Sequence, residues 1–215
     1  DHNKIIQRIF KTAKKAREIN KFEKDGFLLN NLEDDKIITE FLKNNKNFNI
    51  IDFGGGFGTL HAQYKKFLKN KSYNWIIVEQ KKYVELGRKF FYKKNLFFLN
   101  DLTKCKYKVS KVNLVIFSSS IQYIKNYQTI LKQVIDLNPE FIIFLKTPLN
   151  NRNDNLIYVQ NIPQNVYEGS YPSWVFSKNY LIKFFDRKYD LLNSFPVEPK
   201  MFLVDHYNIY FKIKK

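Results

Sequence analysis

Ile50-Ile51-Asp52-Phe53-Gly54-Gly55-Gly56-Phe57-Gly58 decides how this chain is read. A short apolar run ends in an acid, and four of the chain's seven glycines follow within five positions. A helix-compatible segment, residues 59–70, comes next. Strand, glycine loop and helix in that order bring bare backbone N–H groups up to a nucleotide-like ligand in an α/β domain.

The spacing narrows the ligand. A Walker phosphate loop closes on Gly-Lys-Ser/Thr, and Gly58-Thr59-Leu60 has no lysine there. A dinucleotide fingerprint needs Gly-x-Gly-x-x-Gly. Counting from Gly54 and Gly56, its third glycine falls on Thr59; counting from Gly55, it needs glycines where Phe57 and Leu60 stand. What remains is Asp52-x-Gly54-x-Gly56-x-Gly58. Glu79 closes the next apolar run, Trp75-Ile76-Ile77-Val78, 21 residues after Gly58 (79 − 58). A carboxylate at that strand end accepts both hydrogens of a ribose diol; its competing reading is a solvated acid.

Working outward, the pattern alternates. Apolar runs at 48–53, 75–79, 96–99, 112–117 and 141–145 read as strands, with helices between them at 59–70, 81–93 and 127–137. That rhythm predicts a parallel sheet with helices on both faces. Before it, apolar residues at helical spacing (Ile5, Ile6, Ile9, Phe10, Ala13, Ala16, Ile19) predict a basic amphipathic helix over residues 4–24. A second helix is expected over 32–43, with Gly26 between the two. Residues 147–176 break the rhythm with Pro148, Pro163, Gly169 and Pro172, and read as a long irregular functional loop. A helix over 177–187 and two directly connected strands, 189–195 and 207–213, finish the chain. The expected division is one domain: a helical cap at 1–45, a ligand-binding core at 46–146, an acceptor loop at 147–176 and a closing helix and strands at 177–215.

Composition sets the bounds. The 215 residues suit one domain with a substantial core. Cys105 is the sole cysteine, so no disulfide or thiolate cluster forms within the chain, and a reducing cytoplasm is expected. No apolar run is long enough to span a bilayer. Residue 1 is not Met, so native residues before it are expected. The formal charge is +17, but the lysines are spread along a chain rich in Lys, Asn, Ile and Phe, as an AT-rich genome produces. Steering of an anionic small substrate is the functional reading of that charge; a nucleic-acid partner ranks below it.

The Asp52–Gly58 loop resembles the first motif of class I S-adenosylmethionine-dependent methyltransferases. Three segments carry a narrower resemblance: Asp52–Gly58, Val78-Glu79-Gln80 and Ser120-Ile121-Gln122-Tyr123-Ile124. Gln160-Asn161-Ile162-Pro163, Val166-Tyr167 and Ser170-Tyr171-Pro172-Ser173-Trp174-Val175-Phe176-Ser177 extend it. Over roughly residues 48–195 the chain is similar to a bacterial methyltransferase family found with capsule and lipopolysaccharide biosynthesis genes. Lys146 departs from that family, where arginine is common.

The resemblance implies an α/β, Rossmann-like class I methyltransferase fold. Its sheet has seven mostly parallel strands with an antiparallel last strand, helices on both faces and an N-terminal helical cap. The cofactor implied is S-adenosylmethionine, with S-adenosylhomocysteine as product. Asp52, Gly54, Gly55, Gly56 and Gly58 would hold its methionine end, Glu79 and Gln80 the ribose, Asn100 and Asp101 the adenine, and Ser118 and Ser119 would border the sulfonium. The implied acceptor is a surface-polysaccharide sugar or its nucleotide-linked or phosphoryl-type precursor, such as a phosphoramidate group.

Acceptor contacts are expected from Gln122 and Tyr123 and, in the aromatic-rich 158–176 segment, from Tyr158, Gln160, Tyr171 and Trp174. Loop packing is the competing role for Trp174. His61, just after the glycine loop, and His206, before the last strand, are candidate bases for a hydroxyl acceptor; each has a structural alternative. No His/Cys/Asp/Glu spacing suggests a metal. An RNA or DNA methyltransferase is the alternative enzyme. Amino-methylating members often carry Asn/Asp-Pro-Pro-Tyr after the fourth strand, where this chain has Ser118-Ser119-Ser120-Ile121. A non-catalytic protein that retains the fold is the third reading.

Overall fold

The structure is a computed structural model that describes residues 2–162, 169–197 and 204–215. The expected Pro163, Val166 and Tyr167 lie outside the described residues. In chain order the elements are α1 (His2–Glu18), β1 (Phe22–Lys24), β2 (Phe27–Leu29), α2 (Lys36–Asn44), β3 (Asn47–Phe53), α3 (Thr59–Gln63), β4 (Ser72–Val78), α4 (Lys81–Phe90) and β5 (Leu96–Leu99). There follow β6 (Leu114–Ser118), α5 (Tyr127–Leu137), β7 (Phe141–Asn150), β8 (Leu156–Ile162), β9 (Gly169–Ser177), α6 (Lys178–Phe185), β10 (Tyr189–Pro196) and β11 (His206–Ile213).

Seven strands run in the order β10-β11-β7-β6-β3-β4-β5. β3 pairs in parallel with both β4 and β6, β4 with β5, and β6 with β7. β11 is antiparallel to β7 and to β10. The expected mostly parallel sheet with an antiparallel last strand is therefore present. Because both faces are covered, its central strands are apolar along their length: Ile50, Ile51, Ile76, Ile77, Val115 and Ile116 are fully buried. Alternation sends Ile51, Phe53, Phe117 and Phe144 to one face, against Leu131 and Val134 of α5 and Leu181 and Phe185 of α6. Ile50, Trp75, Ile77 and Ile143 go to the other face, against Ile6, Ile38, Leu42 and Val84 of α1, α2 and α4.

Two sequence expectations need correction. The first helix ends at Glu18 rather than at 24, and residues 22–29 form a β-hairpin. Asp25 and Gly26 take φ of 52° and 82°, the left-handed pair a tight hairpin turn requires. The Asp-Gly signal outweighed the helical spacing before it. The described residues of the 147–176 region are likewise largely strand. β7 runs on to Asn150, and β8 and β9 form an antiparallel ribbon whose end pairs with β7 at Leu149–Phe176 and Asn150–Ser177. Pro172 lies in β9, the inner strand of this ribbon, opposite Val159 of β8 and outside the Phe176–Ser177 stretch that pairs with β7.

Candidate functional site

The glycine loop turns at the carboxyl end of β3, where the strand order reverses between β4 and β6; open α/β sheets form their binding crevice at such a point. Gly54, Gly56 and Gly58 have φ of 73°, 55° and 84°, a region that disfavours side chains. Close approach also matters at two positions. A Cβ on Gly54 would lie 2.4 Å from the Ser120 Cβ, and one on Gly55 would lie 2.5 Å from the Asp52 carboxylate. At Gly56 a Cβ would meet nothing within 4 Å, so that part of the loop faces open space.

Asp52 is the electrostatic centre of this arrangement. It is fully buried, and its Oδ2 accepts a 3.2 Å bond from Trp75 Nε1. Its Oδ1 is buried with no hydrogen-bond partner. Burial pushes the carboxyl up to about 7; the Glu79 charge adds to this and the Trp75 bond works against it. A buried carboxylate oxygen without a donor is costly, and a cationic ligand group would supply one. Glu79 is half-buried where β4 ends, its N–H bonded to Leu99 O at 2.9 Å, and its Oε2 accepts the Gln80 N–H at 2.7 Å.

At the end of β5, Asp101 caps the following turn by accepting from Thr103 N and Oγ1, and those bonds lower its pKa. Asn100 is exposed beside it and accepts from Lys104. Ser118 ends β6 and Ser119 follows it. Ser119 takes φ of 49°, and its N–H bonds to Leu145 O at 2.9 Å.

The acceptor candidates divide into two groups. Tyr123 donates to Gln160 Oε1 at 2.9 Å and meets Tyr171 edge-on at 5.1 Å. Tyr171 stands opposite Gln160 across the ribbon, and Tyr158 is two residues from Gln160, on the same strand face. The expected Tyr123, Tyr158, Gln160 and Tyr171 thus form one exposed polar-aromatic wall. Gln122 is buried, with its Oε1 unpartnered. Trp174 is engaged in packing: its Nε1 donates to Ile124 O at 3.1 Å and its ring meets Tyr127 at 5.1 Å.

The two histidines differ as well. His61 is buried against Trp75 and shares a 3.2 Å bond with Tyr73. Burial, then the nearby cations Arg17, Lys93 and Lys65, pull its pKa down to about 3, which suits a structural residue rather than a base. His206 opens β11 opposite Pro148 of β7, at the carboxyl edge of the parallel strands. Its Nδ1 lies 3.0 Å from Val204 O and donates to it.

Arg17 had no sequence signal, and the supporting roles of Phe57 and Ser120 are visible only in the fold. Arg17 of α1 donates through Nη2 to Phe57 O and Gly58 O, both at 3.0 Å. Phe57 anchors the loop among Phe10, Tyr83 and Phe91. Ser120 Oγ donates to Phe53 O at 2.7 Å.

No family model and no curated relative matches the chain. Solved structures do. A S-adenosylmethionine-dependent methyltransferase from Methanosarcina mazei is similar over 85% of this chain and 99% of its own, at 12% identity and a TM-score of 0.59. The fold is that of the class I methyltransferases. A glycopeptide N-methyltransferase complexed with sinefungin matches over 86% and 96% of the two chains, at 10% identity and a TM-score of 0.57. The 1,6-didemethyltoxoflavin N1-methyltransferase of Burkholderia thailandensis, with S-adenosylhomocysteine bound, covers 84% and 78% at 10% identity and a TM-score of 0.55.

Proposed function

We propose that this chain is an S-adenosylmethionine-dependent methyltransferase that O-methylates a bacterial surface-polysaccharide sugar or its nucleotide-linked or phosphoryl-type precursor. One observation carries the donor assignment: a buried carboxylate oxygen without a donor lies under a glycine loop, with a second carboxylate at the next strand end. Asp52 Oδ1 would receive the ammonium of the methionine moiety. Gly54–Gly58 would let the chain backbone approach it. Glu79, with Gln80, would take the ribose hydroxyls, Asn100 and Asp101 would border the adenine, and Ser118 and Ser119 the sulfonium.

Bound there, S-adenosylmethionine supplies a sulfonium methyl to an acceptor atom held in line with the carbon–sulfur bond, leaving S-adenosylhomocysteine. The protein's main task is then alignment, an effect worth on the order of several kcal/mol. Tyr123, Tyr158, Gln160 and Tyr171 would orient the acceptor by stacking and hydrogen bonds, and the Gln122 amide would add a polar contact. An anionic acceptor oxygen needs no base; for a hydroxyl, His206 is the candidate base. Two of the similar structures are N-methyltransferases. The choice of oxygen here rests on Ser118-Ser119-Ser120-Ile121 standing where amino-methylating enzymes often carry Asn/Asp-Pro-Pro-Tyr, and the glycan on the Gln160–Ser177 resemblance.

The test is transfer of labelled methyl to nucleotide-sugars, phosphoramidate-bearing sugars and RNA, beside thermal shifts with S-adenosylhomocysteine. A ligand that binds only the folded form must raise the melting temperature. The reading predicts a shift and label in a sugar fraction. No shift at millimolar ligand overturns the donor assignment, and label in RNA alone overturns the acceptor.

A further inference from the structure

Lys146 departs from three local rules together. The register between β7 and β11 slips between Tyr207–Thr147 and Ile209–Phe144, so Leu145 and Lys146 both stand opposite Asn208. Lys146 is therefore part of a β-bulge, and its φ of 51° lies in the left-handed region. Glycine is the usual residue there, and a long side chain in that position is strained. Asn208 Oδ1 takes the displaced Lys146 N–H at 2.9 Å. Next, the side chain is half-buried, an unfavourable setting for an ammonium. Finally, burial and then the charge of Lys24 in β1 lower the Lys146 pKa, while Glu33 and Asp25 offset part of the repulsion.

Each feature is unfavourable for folding alone. A glycine at 146 would fit the bulge without strain, desolvation or repulsion. Strain held at the carboxyl edge of a sheet is a mark of a functional position, and bulges there re-aim a side chain. The surroundings repeat the pattern. Ser119, at the adjoining end of β6, is also left-handed, and its Oγ lies 3.4 Å from Lys146 O. Lys24 is brought in by the β1–β2 hairpin, which is tied to the end of the glycine loop by the Thr59 Oγ1 bond to Glu23 O at 3.0 Å. Glu23 is buried, and strand alternation turns Lys24 to the opposite face.

We propose that Lys24 and Lys146 together bind a phosphoryl oxyanion of the acceptor. Its role in catalysis rests on the methyltransferase reading; its existence as an anion site does not. An oxyanion between the two ammonium groups turns their repulsion into two charge-assisted hydrogen bonds. The site adjoins Ser118 and Ser119, so a phosphoryl group held there sets an attached acceptor atom beside the methyl position. The chain has no Walker loop to hold a phosphate, and this pair supplies the contact by side chains instead.

The experiment is calorimetric titration of the full chain with inorganic phosphate, at fixed ionic strength, with and without S-adenosylhomocysteine. The variants are Lys146→Met, Lys24→Met and Lys146→Gly. Phosphate should bind the unaltered chain and bind each Met variant about tenfold more weakly or worse, with S-adenosylhomocysteine affinity unchanged. Lys146→Gly should lose phosphate while its melting temperature rises; a merely structural lysine would give the rise without the loss. Equal phosphate binding in the unaltered chain and both Met variants, or none in the unaltered chain, overturns the site. Acetate displacing phosphate at equal concentration overturns the phosphoryl assignment. Phosphate binding without S-adenosylhomocysteine binding leaves the anion site standing and removes the methyltransferase reading.

Discussion

Replacing Asp52 by Asn should stabilise the protein and impair it, in amounts that follow from the site. The carboxyl is fully buried, with one oxygen on Trp75 and the other without a donor. Its folded-state pKa is raised from 3.8 to about 7, chiefly by burial. The folded state therefore holds the proton more tightly than the unfolded chain. The stability associated with that proton is complete below the unfolded pKa and is lost as pH rises towards about 7. At about 1.4 kcal/mol per pKa unit, the ionised carboxylate costs about 4 kcal/mol above that range. Asn cannot ionise, but its NH2 group takes the place of Oδ1 without an acceptor, at a cost of about 1–3 kcal/mol. Asp52→Asn should then be about 1–3 kcal/mol more stable than the unaltered chain near pH 8. The difference between the two should shrink by about 3 kcal/mol on going from about pH 8 to about pH 5. For a domain of this size that is roughly 6–12 °C of relative melting temperature. The assay is urea unfolding at several pH values, paired with S-adenosylhomocysteine titration. Affinity should fall by about 10–100-fold at the upper pH, and the rise in affinity with pH should vanish in the variant. A stability difference that does not change with pH would refute the buried-carboxylate argument.

Other substitutions separate ligand contacts from loop support. Glu79→Ala should weaken S-adenosylhomocysteine binding by about tenfold and leave the melting temperature unchanged; unaltered affinity removes Glu79 from the ribose. Gly54→Ala places a Cβ 2.4 Å from the Ser120 Cβ at a φ of 73°. Thermal melts should show a loss of about 2 kcal/mol or more. Adding Ser120→Gly should relieve the clash but not the backbone strain, so rescue should be partial. Arg17→Met removes both bonds to the Phe57 and Gly58 carbonyls. It should cost about 2 kcal/mol of stability in urea unfolding and loosen cofactor binding. Loss of stability with full affinity would show that the clamp serves the fold alone.

What the sequence disclosed and what it hid have separate causes. The sheet was legible because its strands are buried on both faces: Trp75–Val78 and Leu114–Phe117 are unbroken apolar runs, and Ile50–Phe53 is interrupted only by Asp52. The Asp52–Gly58 loop was legible because positive φ and close approach both demand glycine, which leaves a visible mark. The β8–β9 ribbon was not. β8 is largely exposed on both faces (Ile157, Tyr158 and Val159 are 59%, 49% and 67% exposed), so no alternation of burial governs its composition, and the prolines around β9 read as breakers. Arg17 and Lys24 were invisible for another reason. They reach their partners across 40 and 122 residues of chain (57 − 17; 146 − 24), and nothing local distinguishes them from the chain's other cations. Lys146 falls between these cases. Its residue type was noticed, but the bulge that gives it meaning is a slip between β7 and β11, a property of two strands that neither carries alone. A lysine where glycine would fit more easily is a local conflict, and such conflicts concentrate at functional positions. The same logic governs Asp52: a fold selected for stability alone would not bury a carboxylate oxygen without a donor. Both positions place an unfavourable charge at the carboxyl edge of the sheet, one anionic and one cationic. A zwitterionic donor and an anionic acceptor, as proposed, would be received there by opposite charges.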